Sequence, residues 1–100
     1  MSIIRVTVRT FQSVEHANMF IVMSEKIANE STNSDLKINM KVIQNVYQKN
    51  QVTSIWEYDD EKHMKEVRSY FSQFNSIPNS SLPKEIAYEG EVKVSAKNKD

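Results

Sequence analysis

Arg5, Thr7 and Arg9 alternate with aliphatic neighbours in the opening stretch IIRVTVRTF, so an extended chain turns all three toward one side. Arginine presents parallel N–H groups to a pair of oxygens, and this set therefore suits a carboxylate or a similar anion. Lys41 and Asn39 hold the matching polar positions of a second alternating stretch. His63 and Tyr70 stand seven residues apart, on one side of a helix, a spacing that fits a proton-transfer pair or two ordinary flank residues. Trp56 reads first as buried area, its indole N–H on a carbonyl, and second as a reactive-site group. His16 and His63 are the two histidines and no cysteine occurs. Without an HxH or HxxxH pattern no metal site is expected, and thiolate and disulfide chemistry are excluded.

These residues need elements to position them. Ile3 to Phe11 alternates as a half-buried strand. Ser13 is placed to cap a helix that begins at Val14, with Ala17, Phe20, Ile21, Ser24, Ile27 and Ala28 on one stripe, fading in NESTNSD at 29–35. Leu36 to Gln48 returns to period two, with Ile38, Met40 and Val42 on one face; the adjacent Val42 and Ile43 suggest a bulge or a change of exposure. Lys49 to Gln51 reads as a hairpin turn and Val52 to Tyr58 as the returning strand. Asp59 or Asp60 caps a second helix whose stripe is Met64, Val67, Phe71 and Phe74. Pro78 and Pro83 bracket a loop, and Ile86 to Val94 is a last strand with Gly90, the one glycine, on its apolar face.

The order strand, helix, strand, strand, helix, strand is the ferredoxin-like α+β arrangement, a four-stranded antiparallel sheet with two helices on one face. A single domain over residues 1–94 is expected, with a frayed tail at 95–100. If Ile4, Val6 and Val8 pack under the helices, then Arg5, Thr7 and Arg9 join Lys41 on the open face. Those cations would then need partners: either Glu57, Glu89 and Glu91 pair with them, or an anionic ligand group does. Both readings stay open.

The stretch SIWEYDDEKHMKEVRSYF, residues 54–71, resembles the junction of third strand and second helix in the dimeric α/β barrel superfamily, which includes the antibiotic-biosynthesis monooxygenases and their haem-degrading and stress-responsive relatives. The matching features are Trp56, Glu57 and the acidic run Asp59 to Glu61. The resemblance implies a homodimer and an apolar small-molecule pocket between helices and sheet, to which Tyr47, Trp56, Tyr58, His63 and Tyr70 could contribute. Its enzymatic alternative is cofactor-free monooxygenation of an aromatic or other small organic substrate. The haem-degrading members use an Asn on the first strand with a Trp and a His along the second helix. Here Arg5, Thr7 and Arg9, and the region of Lys65 and Asn75, stand instead, so haem chemistry is not expected and no cofactor is implied.

Thirteen basic residues balance thirteen acidic ones, and the third-strand stretch VTSIWEY lacks the glycine- and aromatic-rich RNA-binding pattern. A nucleic-acid partner is therefore not expected, while a purely structural dimer remains a possible reading. No apolar run approaches the roughly 18 residues of a membrane span, and the opening residues do not form a signal-peptide core. A soluble cytoplasmic protein is the expectation. The candidate ligand-binding residues are Arg5, Arg9, Lys41, Trp56, Tyr58 and His63.

Overall fold

The computed structural model describes residues 2–72 and 83–98. Strand β1 (Ile3–Thr10) leads to helix α1 (Val14–Ser31), the hairpin β2 (Asn39–Gln44) and β3 (Gln51–Tyr58), helix α2 (Glu61–Phe71) and strand β4 (Lys84–Glu91). The sheet order is β2-β3-β1-β4, and every neighbouring pair is antiparallel. This is the expected ferredoxin-like arrangement. The expected positions Phe74, Asn75 and Pro78 lie outside the described residues.

Both helices start as their sequences dictate. The Ser13 hydroxyl accepts from the His16 amide at 3.1 Å, and the Asp60 carboxylate accepts from the His63 amide at 2.7 Å. Each cap satisfies one amide of a first turn that has no carbonyl partner of its own, and the charge of Asp60 also suits the positive end of the helix dipole.

Strand β2 stops at Gln44, four residues short of the sequence expectation. Asn45 is the cause, since its side-chain oxygen accepts from the amides of Tyr47 at 2.8 Å and Gln48 at 3.1 Å, bending the chain away from the ladder. Strand β4 begins at Lys84 and ends at Glu91, shifted toward the N-terminus of the expected span. No bulge accompanies Val42 and Ile43, because the β2–β3 register runs unbroken from Asn39 to Gln44. Both faces of the sheet are apolar at that point, Val42 packing inward and Ile43 exposed outward.

The core beneath the helices falls into two clusters. Phe11, Ala17 and Val52 form one, with Phe20, Ile21 and Val42 against it; Tyr58, Met64 and Val67 form the other, with Ile3, Ile38, Trp56 and Phe71. Val52 and Tyr58 are six residues apart on β3 and therefore share its helix-facing side. Among the described residues, no helix is long and apolar enough to cross a membrane.

Candidate functional site

Between the two core clusters the helix-facing side of the sheet changes from apolar to polar. Val52, Ser54, Trp56 and Tyr58 alternate along that face of β3, and the strand register sets Arg9, Thr7 and Arg5 of β1 opposite Val52, Ser54 and Trp56. The two arginines and Thr7 thus lie under the helices, while Ile4, Val6 and Val8 occupy the open side. This reverses the face expected from the sequence. An apolar stripe must be covered, but its periodicity does not say by what.

A cavity of about 410 Å³ occupies this space. Its floor is Arg5, Thr7, Arg9 and Ser54; α1 supplies Phe20, Met23, Ser24 and Ile27, and α2 supplies Val67, Arg68, Phe71 and Ser72. Met40 and Val42 of β2 and Trp56 and Tyr58 of β3 complete the wall. The stripe read from the α1 sequence therefore has two roles: Ala17 and Ile21 pack the core, while Ser24 and Ile27 face the cavity.

The aromatic wall is ordered by mutual contact. Trp56 meets Phe71 edge to face with ring centres 5.0 Å apart and stacks on Tyr58 at 6.3 Å.

The cations of the floor are held from behind by β4. Arg9 Nε donates to Glu85 at 3.1 Å and its Nη1 to the Ser54 hydroxyl at 3.0 Å, while the guanidinium lies 4.9 Å from the centre of the Phe20 ring. Arg5 pairs with Glu89, and Arg68 of α2 donates to the same carboxylate at 2.7 Å. Of the acidic partners proposed from sequence, Glu89 takes this role; Glu57 accepts from Asn39 on the open face and Glu91 pairs with Lys93. Glu85 and Arg68 were missed, because their roles depend on the β1–β4 register and on the rotation of α2.

Burial lowers the pKa of Arg9 from its ordinary value, with the nearby charge of Arg5 acting the same way and Glu85 opposing. Burial raises the pKa of Tyr58, against the pull of Arg68 and Arg5. Both directions describe a partly dehydrated site of positive character.

Four of the six sequence-selected residues, Arg5, Arg9, Trp56 and Tyr58, meet at this cavity. Lys41 belongs to the other face, in register with Ile55. His63 lies outside the lining and joins backbone segments instead: its Nδ1 accepts from the Asp59 amide at 2.9 Å, and its Nε2 is 2.7 Å from the Lys37 carbonyl. With Nδ1 accepting, Nε2 is the nitrogen that donates to the Lys37 carbonyl. Among the described residues no cluster of three or more histidine and carboxylate side chains could hold a metal ion.

No protein-family model and no curated protein matches the chain. Solved structures do. A dimeric ferredoxin-like protein from an uncultured marine organism superposes with a TM-score of 0.77 at 13% identity, over 99% of this chain and 93% of the other. SnoaB, a cofactor-independent oxygenase from Streptomyces nogalater, gives 0.75 at 9% identity, over 97% and 98%. A candidate antibiotic biosynthesis monooxygenase from Bacteriodes thetaiotaomicron gives 0.76 at 11%, over 99% and 96%. Identities this low carry the fold and no more. In fold, then, the chain resembles the dimeric ferredoxin-like and antibiotic-biosynthesis-monooxygenase-like proteins, the group to which the Trp56 corner of the sequence pointed.

Proposed function

We propose that this chain acts as a homodimer that binds a small organic molecule in the cavity between its helices and its sheet. One observation carries the reading: the middle of the helix-covered face, where a core should be apolar, is a polar strip. Thr7 and Ser54 are only 2% and 4% exposed there, with Arg5 and Arg9 on either side. Desolvating hydroxyls and guanidiniums is costly when a well-packed aliphatic layer would serve stability better, so the strip is best explained by a ligand that uses it. Lys41 and His63, which stand elsewhere, have no part in this site.

The open face supports the dimer. Ile4, Val6, Val8, Ile43, Ile55, Ile86 and Tyr88 share it by register, with Ile86 and Tyr88 75% and 72% exposed. Covering such a surface yields roughly 25 cal/mol per Å² of apolar area, and a second copy of the same sheet offers a matching surface. Two structural neighbours are themselves described as dimeric, which supports pairing of two copies. Trp56 and Tyr58 point away from the open face, leaving it without the tryptophan that a base-stacking surface would have used.

A second reading, cofactor-free oxygenation of an aromatic substrate, is favoured by the Trp56–Phe71–Tyr58 wall and by the likeness to SnoaB. The two readings separate in one experiment. The native protein is screened by thermal shift against small aromatic compounds, and each compound that stabilises it is followed with an oxygen electrode. Stabilisation without oxygen uptake supports a binding protein, protein-dependent uptake supports the oxygenase, and no stabilisation by any compound counts against the cavity as a site.

A further inference from the structure

Three cations meet the cavity, and two carboxylates answer them. Arg5 and Arg68 share Glu89 while Arg9 has Glu85, so the cluster carries one positive charge in excess. Neutral donors lie beside it. The Ser54 hydroxyl accepts from Arg9, which leaves its own hydrogen free to donate. Thr7, directly opposite Ser54 in the register, lines the same cavity and has no side-chain partner among the described residues. One residue pair further along the same face stands Trp56, about 7 Å away by strand geometry, with Phe71 against its edge. An aromatic wall therefore adjoins a row of donors with surplus positive charge.

We propose that the ligand of this cavity is a planar aromatic anion, its ring against Trp56 and Phe71 and its carboxylate received by Arg9, Ser54 and Thr7. The inference rests on the reading of the cavity as a binding site and adds the charge, shape and orientation of what binds. The carboxylate restores neutrality to the cluster, and the ring packs against the aromatic side of the cavity. A neutral analogue of the same shape keeps the ring contacts and loses the charge-assisted bonds, the stronger class of hydrogen bond.

The test compares 2-naphthoate with 2-naphthamide on the native protein, with affinity from calorimetry and location from the emission of Trp56, the one tryptophan of the chain. The expected result is that 2-naphthoate perturbs Trp56 and binds at least about tenfold more tightly than the amide, the ratio for one charge-assisted contact. Arg9→Gln and Ser54→Ala, each confirmed folded by circular dichroism, should bring the two affinities to within about threefold, a residual difference below 1 kcal/mol. Equal binding of both compounds to the native protein, with Trp56 perturbed, would overturn the anion proposal and leave the cavity reading standing. Silence of Trp56 toward both would overturn the two together.

Discussion

The two faces of this sheet differ in a way that inverts the usual division of a small domain. Under the helices, Arg5, Thr7, Arg9 and Ser54 form a polar strip between two apolar clusters. On the uncovered side, Ile4, Val6, Val8, Ile43, Ile55 and Ile86 form an aliphatic surface with Tyr88, whose ring lies over Gly90. On the function proposed above, the face that looks finished receives a ligand, and the one that looks bare receives a second copy of the chain. Polarity along a strand thus reports what will finally cover a face, whether side chains of the same chain, a partner or a small molecule.

The sharpest way to break the comparison is to charge the apolar face. Val6 pairs across the register with Ile55 on one side and Tyr88 on the other. Val6→Asp should place an unpaired carboxylate in the centre of the proposed dimer contact, costing roughly 3 kcal/mol or more. Unfolding in urea should then have a midpoint independent of protein concentration, whereas that of the native protein rises with concentration. Identical behaviour of the two proteins would mean that the open face is not an interface.

The polar strip is predicted to respond in the opposite sense. Ser54→Val replaces a hydroxyl with a methyl-bearing branch beside Val42 and Val52, so ligand affinity should fall about tenfold or more while stability changes by about 1 kcal/mol or less. Calorimetry with 2-naphthoate and urea unfolding measure the two quantities. A large loss of stability with unchanged affinity would make the strip structural.

His63 lies outside the cavity lining, behind Tyr58, and its replacement should be felt chiefly as stability. His63→Ala removes two hydrogen bonds, to the Asp59 amide and the Lys37 carbonyl, and should cost about 1–2 kcal/mol with ligand affinity intact. The surface pair Lys65–Glu61, one helical turn apart, is predicted to contribute least: Lys65→Ala should move stability by a few tenths of a kcal/mol at most.

Tyr58 adds a pH dependence. Its pKa is raised by burial, so the folded protein holds the phenol proton more tightly than the unfolded chain does. The stability due to this group is present in full below the unfolded value and is lost as pH rises through the higher folded one, which places the loss above about pH 10. Tyr58→Phe should show a shallower alkaline decline than the native protein, measured as urea midpoints from pH 8 to 11. Equal declines would exclude Tyr58 as the source.

Much of the fold is legible because local signals agree. Ser13 and the pair Asp59 and Asp60 announce the helix starts, period-two stretches mark the strands, and Lys49 to Gln51 mark the hairpin, although the reach of the Asn45 side chain ends β2 earlier. The site is only partly legible. Arg5, Arg9, Trp56 and Tyr58 stand out by type, but their meeting beneath the helices depends on which side of β1 is covered, and alternation is symmetric in that respect. Arg68 and Glu85 gain their roles only through the rotation of α2 and the pairing of β4 with β1, and neither leaves a trace in local spacing.

The most direct test of the exchanged faces is the mass of the native protein in solution. Light scattering coupled to size exclusion, at tens of micromolar, should return twice the chain mass of 11.6 kDa if the aliphatic face pairs with its own copy as proposed. A mass of one chain at that concentration would contradict the account, because the apolar side of β1 would then face water.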